Sequence, residues 1–385
     1  MDARRPEQKG SLVLTPATTI RRDIGQSMVG SEGSLSTGKP QKYKGKAMRR
    51  LFSLVLGATL SVAGAAAASA GTLDDVKAKG FVQCGVNPSL PGFGFPNDKG
   101  EWSGLDVDFC RAVAAAIFND PNKVKFTPLS AKERFTALQS GEVDLLARNS
   151  TWTMQRDAGL GLTFVGVNYY DGQGFMVRKD LGVDSALKLN GASVCTQTGT
   201  TTELNLADYF RANNMTYQVV AFENNEEVNQ AYQTGRCDVL TTDQSGLYST
   251  RLKLANPEEH VVLPEIISKE PLGPVVRQND PQWFNLVKWV LFAQVNAEEL
   301  GVNSKNVEEM KSSTNPEIKR LLGLEGDFGK SIGLENDWVI NVVKHVGNYG
   351  EVFDRNVGPD TPLKIERGLN ALWNKGGIMY APPIR

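Results

Sequence analysis

Gln139-Ser140-Gly141-Glu142-Val143-Asp144-Leu145-Leu146 returns 94 residues later as Gln233-Thr234-Gly235-Arg236-Cys237-Asp238-Val239-Leu240. The common pattern is Q-x-G-x-x-D-x-L. Each copy closes a helical stretch, turns on glycine and enters a short apolar strand. Each is followed by a polar cluster, Arg148-Asn149-Ser150-Thr151 in the first and Thr241-Thr242-Asp243-Gln244-Ser245 in the second. In open α/β sheets, ligands sit beyond the carboxyl ends of the strands. Two such clusters point to two similar lobes whose strand ends face one cleft. Chance similarity between two ordinary helix-turn-strand units is the alternative.

The surrounding pattern extends this reading. Strands are expected at Phe81–Val86, Val124–Pro128 and Val143–Ala147, with helices at Asp106–Phe118 and Lys132–Gln139. After a strand at Gly172–Val177 the order restarts with strand Ala192–Thr196, helix Thr201–Asn213 and strand Tyr217–Phe222. Helix Glu226–Thr234, strand Cys237–Thr241 and helix Gly246–Leu254 follow. Gly273–Val276 reads as a return strand before the helix Trp283–Glu299. Alternating β and α elements predict an α/β protein with mostly parallel, doubly wound sheets. The restart inserts one lobe within the other, giving lobe 1 as 71–172 and 274–385 and lobe 2 as 173–273. Two crossings, near 168–175 and 268–275, form a hinge suited to closure. From Gly301 the chain is Asn-, Gly- and Lys-rich, then helical at Trp338–His345 and Ile365–Lys375, and is expected to pack on lobe 1.

Location is written near the start. Met48-Arg49-Arg50, the apolar run Leu51 to Ala68 and Ala68-Ser69-Ala70 are the three parts of a secretory signal. Cleavage after Ala70 leaves a chain from Gly71; an uncleaved anchor is the alternative. Residues 1–47 read as a disordered extension or as the product of a misplaced start. Residues 1–70 hold 11 Lys/Arg and 4 Asp/Glu; the remainder holds 31 against 39. An acidic remainder argues against nucleic-acid binding, which needs clustered cations. The four cysteines contain no C-x-x-C pair, which argues against zinc ribbons and thioredoxin chemistry. In an exported protein, pairs Cys84–Cys110 and Cys195–Cys237 are expected, with four buried free thiols as the alternative.

Gly104-Leu105-Asp106-Val107-Asp108, Ser150-Thr151-Trp152-Thr153-x-x-Arg156, Gln197-Thr198-Gly199-Thr200-Thr201 and Cys237-Asp238-x-x-x-x-Asp243 occur in register. Together they resemble the polar amino-acid-binding proteins of ABC importers, solute-binding protein family 3. Val82-Gln83-Cys84-Gly85-Val86, the run Asp106 to Ala116 and the long tail look like its general L-amino-acid-binding branch (the Aap/Bzt type). The resemblance implies a type II periplasmic-binding-protein fold that takes free L-amino acids and delivers them to inner-membrane permease subunits. It implies a monomer in the periplasm, without catalytic residue, metal or cofactor.

The residues carry this chemistry on their own terms. Arg156 offers a planar fork for a carboxylate. Gly199-Thr200-Thr201 precedes a helix whose free amides attract anions, and the resemblance puts the carboxylate at the Thr201 amide. Asp243 suits an ammonium. By resemblance, Asn149 supplies it a carbonyl and Thr151 a hydroxyl. Basic-amino-acid binders of the family carry an aspartate where Asn87 stands, and the nearby aromatic is displaced to Phe93. Arg148, if turned inward, favours Glu, Asp or Gln side chains; a rim arginine in an ion pair is the alternative. Broad specificity leaning to acidic and amide amino acids is the expectation.

Two other classes compete. A periplasmic enzyme on the same fold, such as a dehydratase, needs a general acid or base. The histidines, His260 and His345, lie outside the motif clusters, and no G-x-S-x-G or H-E-x-x-H occurs. A membrane-tethered sensor needs a second spanning segment and a signalling module.

Overall fold

A computed structural model of the chain describes residues 71–385. The extension expected at 1–47 and the signal expected at 48–70 lie outside the described residues. Two five-stranded sheets organise the chain. The first holds, in spatial order, Val124–Pro128, Val82–Val86, Leu145–Leu146, Val275–Arg277 and Leu162–Phe164. The second holds Gln218–Phe222, Ser193–Gln197, Val239–Asp243, Gln173–Arg178 and His260–Val262. The first three strands of each are parallel neighbours. One strand in each, Val275–Arg277 or Gln173–Arg178, is antiparallel to both neighbours. These are the strands by which the chain enters a sheet after crossing from the other. The fold is the two-lobed, mostly parallel α/β architecture.

The repeat has the same local job twice. Gly141 and Gly235 take left-handed backbone at φ 81° and 75°, where a Cβ would be strained. The aspartate three residues on then latches a neighbouring strand. The Asp144 carboxylate accepts the Gln83 amide at 2.7 Å, while the Asp144 amide donates to the Gln83 carbonyl at 2.8 Å. Asp238 and Ser193 make the equivalent exchange at 3.1 and 2.9 Å. Both copies thereby set the register that puts their following polar residues at one edge of the sheet.

The crossings are themselves paired. Tyr169–Asp171 and Glu270–Leu272 form a two-stranded antiparallel ribbon, with Tyr170 opposite Pro271. The outward polar groups of Tyr170 are taken by Asn370, which accepts from its amide at 2.7 Å and donates to its carbonyl at 3.1 Å.

The tail packs on the first sheet's helices. Helices Trp338–His345 and Tyr349–Asn356 lie against Leu105–Phe118 and Pro281–Glu299 and share one apolar core with the first sheet. Asp108 anchors the tail by accepting from Arg355 at 2.8 Å and Asn356 at 2.7 Å. The helix expected over Ile365–Lys375 is absent. Gly368–Asn370 and Trp373–Lys375 are separate 3₁₀ turns. Gly368 is left-handed at φ 47°, and Arg367 donates to the Asn370 carbonyl at 2.9 Å. Side-chain ties, not a helical ladder, hold this segment. The strand expected over Val143–Ala147 shortens to Leu145–Leu146.

Cys84–Cys110 joins the first sheet to its covering helix, and Cys195–Cys237 joins the Ser193–Gln197 strand to the turn that leads into Val239–Asp243. Their Cα separations of 6.2 and 5.7 Å lie within the ordinary span of a disulfide.

Candidate functional site

The polar residues singled out in the sequence follow the carboxyl ends of parallel strands. Asn87 follows Val82–Val86, Arg148 to Thr151 follow Leu145–Leu146, Thr200 and Thr201 follow Ser193–Gln197, and Asp243 ends Val239–Asp243. The lobes meet around them. The Thr151 and Thr201 hydroxyls are 3.2 Å apart. Lys132 pairs with Glu223 at 2.6 Å, and Lys253 donates to the Ser89 carbonyl at 3.2 Å. Gly199 is left-handed at φ 75°, and a Cβ there would lie 3.4 Å from the Lys132 Cα across the cleft.

At the first lobe, Asn149 adopts φ 32°, a left-handed conformation that asparagine tolerates. Its amide donates to Asp106 at 2.7 Å, and its side-chain oxygen accepts from Asn87 at 3.0 Å. Arg156, 8% exposed, donates to the Thr151 carbonyl at 3.0 Å. At the second lobe, the Thr200 hydroxyl caps the Thr201–Ala212 helix by accepting the Glu203 amide at 3.3 Å. This leaves the Thr201 end of the helix turned to the cleft. Asp243 is buried, and its carboxylate does not cap the helix it precedes.

Charge is divided across the cleft. Arg134, Arg148 and Arg156 are buried, and none forms an ion pair among the described residues. Burial pushes Arg148 down to about 10, opposed by the Asp106 carboxylate. Desolvation also lowers Arg156, opposed by Glu270 and Asp243. Facing them, burial and then the Asp171 and Glu270 carboxylates hold Asp243 well above the usual range. Asp171 is pushed up to about 6, chiefly by burial. Buried charges without partners are expensive. A cationic wall and an anionic wall suit a small dipolar molecule with one carboxylate and one ammonium.

Arg148 also lines a cavity of ≈ 300 Å³ with Asn87, Ser89 and Ser130 from one lobe and Gln197 and Asn224 from the other. Its Nε donates to the Leu129 carbonyl at 2.9 Å. Phe93 lies apart, 1% exposed, with its ring edge-on to Tyr169 at 5.0 Å. Trp152 is partly exposed and stacks on Phe164.

Three residues escaped the sequence reading. Arg134 opens a short helix and joins the buried cations. Asp171 and Glu270 stand on the crossing strands. A charged residue inside a strand segment, as in Lys269-Glu270-Pro271-Leu272, was the available signal for Glu270. Nothing in the sequence told it from an exposed edge charge.

The signature of the bacterial extracellular solute-binding proteins, family 3, matches residues 82–305. The general L-amino acid-binding periplasmic protein AapJ of Rhizobium johnstonii is 66% identical over 338 residues, 87% of this chain and 99% of its own. The glutamate/glutamine/aspartate/asparagine-binding protein BztA of Rhodobacter capsulatus is 59% identical over 322 residues, 83% of this chain and 95% of its own. A periplasmic binding protein from Brucella ovis, solved with glutathione bound, superposes with a TM-score of 0.81 at 66% identity. That match covers 82% of this chain and 100% of the other. With the paired lobes and the cleft between them, these matches make the chain a member of the bacterial extracellular solute-binding proteins, family 3.

Proposed function

We propose that this protein binds free L-amino acids in the cleft between its lobes and hands them to the permease of an ABC importer. The observation that carries the reading is the division of buried charge: unpaired arginines on one side and Asp243 with its neighbouring carboxylates on the other. In this reading Arg156 and the Thr201 amide hold the ligand carboxylate, with Thr200 capping that helix. Asp243, the Asn149 carbonyl and the Thr151 hydroxyl hold its ammonium. Lobe 1 is 71–172 with 274–385, and lobe 2 is 173–273. The ligand bridges both, so its preference for the closed form drives closure.

The cavity beside Arg148 and Asn87 receives the side chain. Guanidinium and amide donors there favour carboxylate and carboxamide ends, supporting broad specificity with a lean to Glu, Asp, Gln and Asn. The curated relatives matched above are named as binding proteins, which supports a transport role over catalysis. Among the described residues, no helix is long and apolar enough to cross a membrane. We place the protein in the periplasm as a monomer, after cleavage behind Ala70.

The test is a thermal-shift screen of the chain from Gly71 against the twenty L-amino acids, with D-isomers and sugars as controls. Bound ligand is first stripped by unfolding and refolding. A ligand that binds only the native state raises Tm once its concentration exceeds Kd. Shifts with several L-amino acids, lost in Arg156→Ala and Asp243→Ala, are expected. No shift with any of them would overturn the reading.

A further inference from the structure

Glu270 has the most complete set of partners of any carboxylate in the cleft, and they come from both lobes. It is 1% exposed and stands on a crossing strand. Its Oε2 accepts from the Thr151 hydroxyl at 2.6 Å and from the Thr201 hydroxyl at 2.8 Å. Its Oε1 accepts from the Ser268 hydroxyl at 2.6 Å and the Asn205 amide at 2.7 Å. An ionised carboxylate has about four acceptor positions, and all are used. Thr151 follows the Leu145–Leu146 strand of the first sheet, and its backbone bridges to Leu272 on the crossing ribbon. Thr201 and Asn205 are one helical turn apart on the Thr201–Ala212 helix. The set is complete only with the lobes together.

The consequence lies in the hydroxyl protons. A threonine hydroxyl has one hydrogen to donate and two lone pairs. Glu270 takes the hydrogen of Thr151 and of Thr201. Both hydroxyls can then offer the cleft only acceptors, which suit an ammonium and leave the ligand carboxylate to the Arg156 guanidinium and the Thr201 amide. Resting on the amino-acid reading above, we infer that Glu270 is a positioning residue for ligand recognition. It orients the Thr151 and Thr201 hydroxyls from opposite lobes as ammonium acceptors and ties their arrangement to closure. It does this through the threonines, without itself touching the ligand.

The inference separates from a structural role by what the site discriminates. The probes are L-glutamate and glutarate, the same diacid without the ammonium, titrated calorimetrically into wild type, Glu270→Met and Glu270→Gln. Wild type is expected to prefer L-glutamate by roughly 100-fold or more. Glu270→Met fills similar space but frees both hydroxyl protons, and the preference should shrink by about 10-fold or more. Glu270→Gln keeps one carbonyl oxygen for both threonines, its amide facing Ser268 and a turned Asn205. It should hold the preference within roughly threefold.

A general loss of rigidity would weaken both probes alike. An unchanged ratio in Glu270→Met, or an equal loss in Glu270→Gln, overturns the inference. If Glu270→Met does not fold, Thr201→Val removes one oriented hydroxyl directly, and an unchanged ratio there overturns it too. Loss of L-glutamate binding in Arg156→Ala, alongside an unchanged ratio in Glu270→Met, leaves the proposed function standing alone. Wild type that binds neither probe removes the inference together with the lean to acidic side chains, while the screen of all twenty L-amino acids decides the proposed function.

Discussion

Arg156 and Asp243 face opposite electrostatic situations, and each gives its own prediction. Arg156 is buried, its guanidinium donating to the Thr151 carbonyl and lying over the Phe135 ring, and it forms no ion pair among the described residues. Removing one member of a desolvated charge pair costs about 2–5 kcal/mol. Arg156→Ala should therefore raise Kd for every bound L-amino acid at least ~30-fold by calorimetry. Arg156→Lys should recover only part, because an ammonium cannot make the bidentate fork.

Asp243 predicts a pH effect. Burial, Asp171 and Glu270 raise its folded-state pKa above the unfolded value, so the ligand-free fold favours the protonated form. An incoming ammonium favours the ionised form. Binding should release a proton, and Kd should fall as pH rises toward the raised pKa of the free protein. Titrations in buffers of different ionisation enthalpy, repeated at several pH values, read this directly; proton uptake would contradict it. Asp106 carries the same stability sign. Burial pushes it up to about 6 from 3.8, so its contribution is present below the unfolded value and is lost as pH rises through about 6.

The repeated aspartates belong to the scale of elements. Asp144 and Asp238 latch equivalent strands, and neither is in the proposed binding set. The Asp144 side chain is 6% exposed and that of Asp238 is 43% exposed. An unmade bond at a buried group costs about 1–3 kcal/mol, while exposed groups fall back on water. Asp144→Ala should lower Tm by more than Asp238→Ala, and both should leave Kd unchanged within about threefold. Equal falls, or a ligand-selective change in Kd, would count against the latch. The disulfide Cys195–Cys237 works at the same scale. Closing its loop contributes roughly 3–4 kcal/mol in the chain-entropy model, so Cys195→Ser with Cys237→Ser should lower Tm without altering which ligands bind.

Across the whole molecule, the contacts between lobes differ in weight. Lys132–Glu223 is solvent-exposed on both sides, and such pairs contribute about 0–1 kcal/mol. Lys132→Ala should change Kd by less than about sixfold. Asn370 is different. It is 4% exposed and satisfies both outward polar groups of Tyr170 on a crossing strand. The tail behind it is anchored through Arg367 to Glu298 at 3.0 Å. Asn370→Leu leaves two backbone groups unpaired, at about 1–3 kcal/mol each. A lowered Tm with one cooperative transition is expected in a calorimetric scan; an unchanged Tm would show that Asn370 does not brace the hinge.

The sequence by itself determined the α/β class, the two-lobed order and the cluster at the strand ends. These follow from local causes: apolar periodicity, glycines at left-handed turns, and the rule that parallel strands present their following residues at one edge. The motifs also singled out Arg156, Thr201 and Asp243, and the structure puts Thr201 and Asp243 at strand ends and Arg156 on the helix Met154–Gly159 beside them. Only the tertiary structure decided what surrounds them. Glu270 and Arg134 acquire meaning from burial and from groups distant in sequence, such as Thr151 and Asn205 for Glu270 and Asp243 for Arg134, which no local pattern encodes. Phe93 shows the same limit, since its neighbour in the motif says nothing of Tyr169 beneath it. The segment Ile365–Lys375 misled a local reading because Asn370 and Arg367 hold it by long-range bonds, where a helix would have used its own.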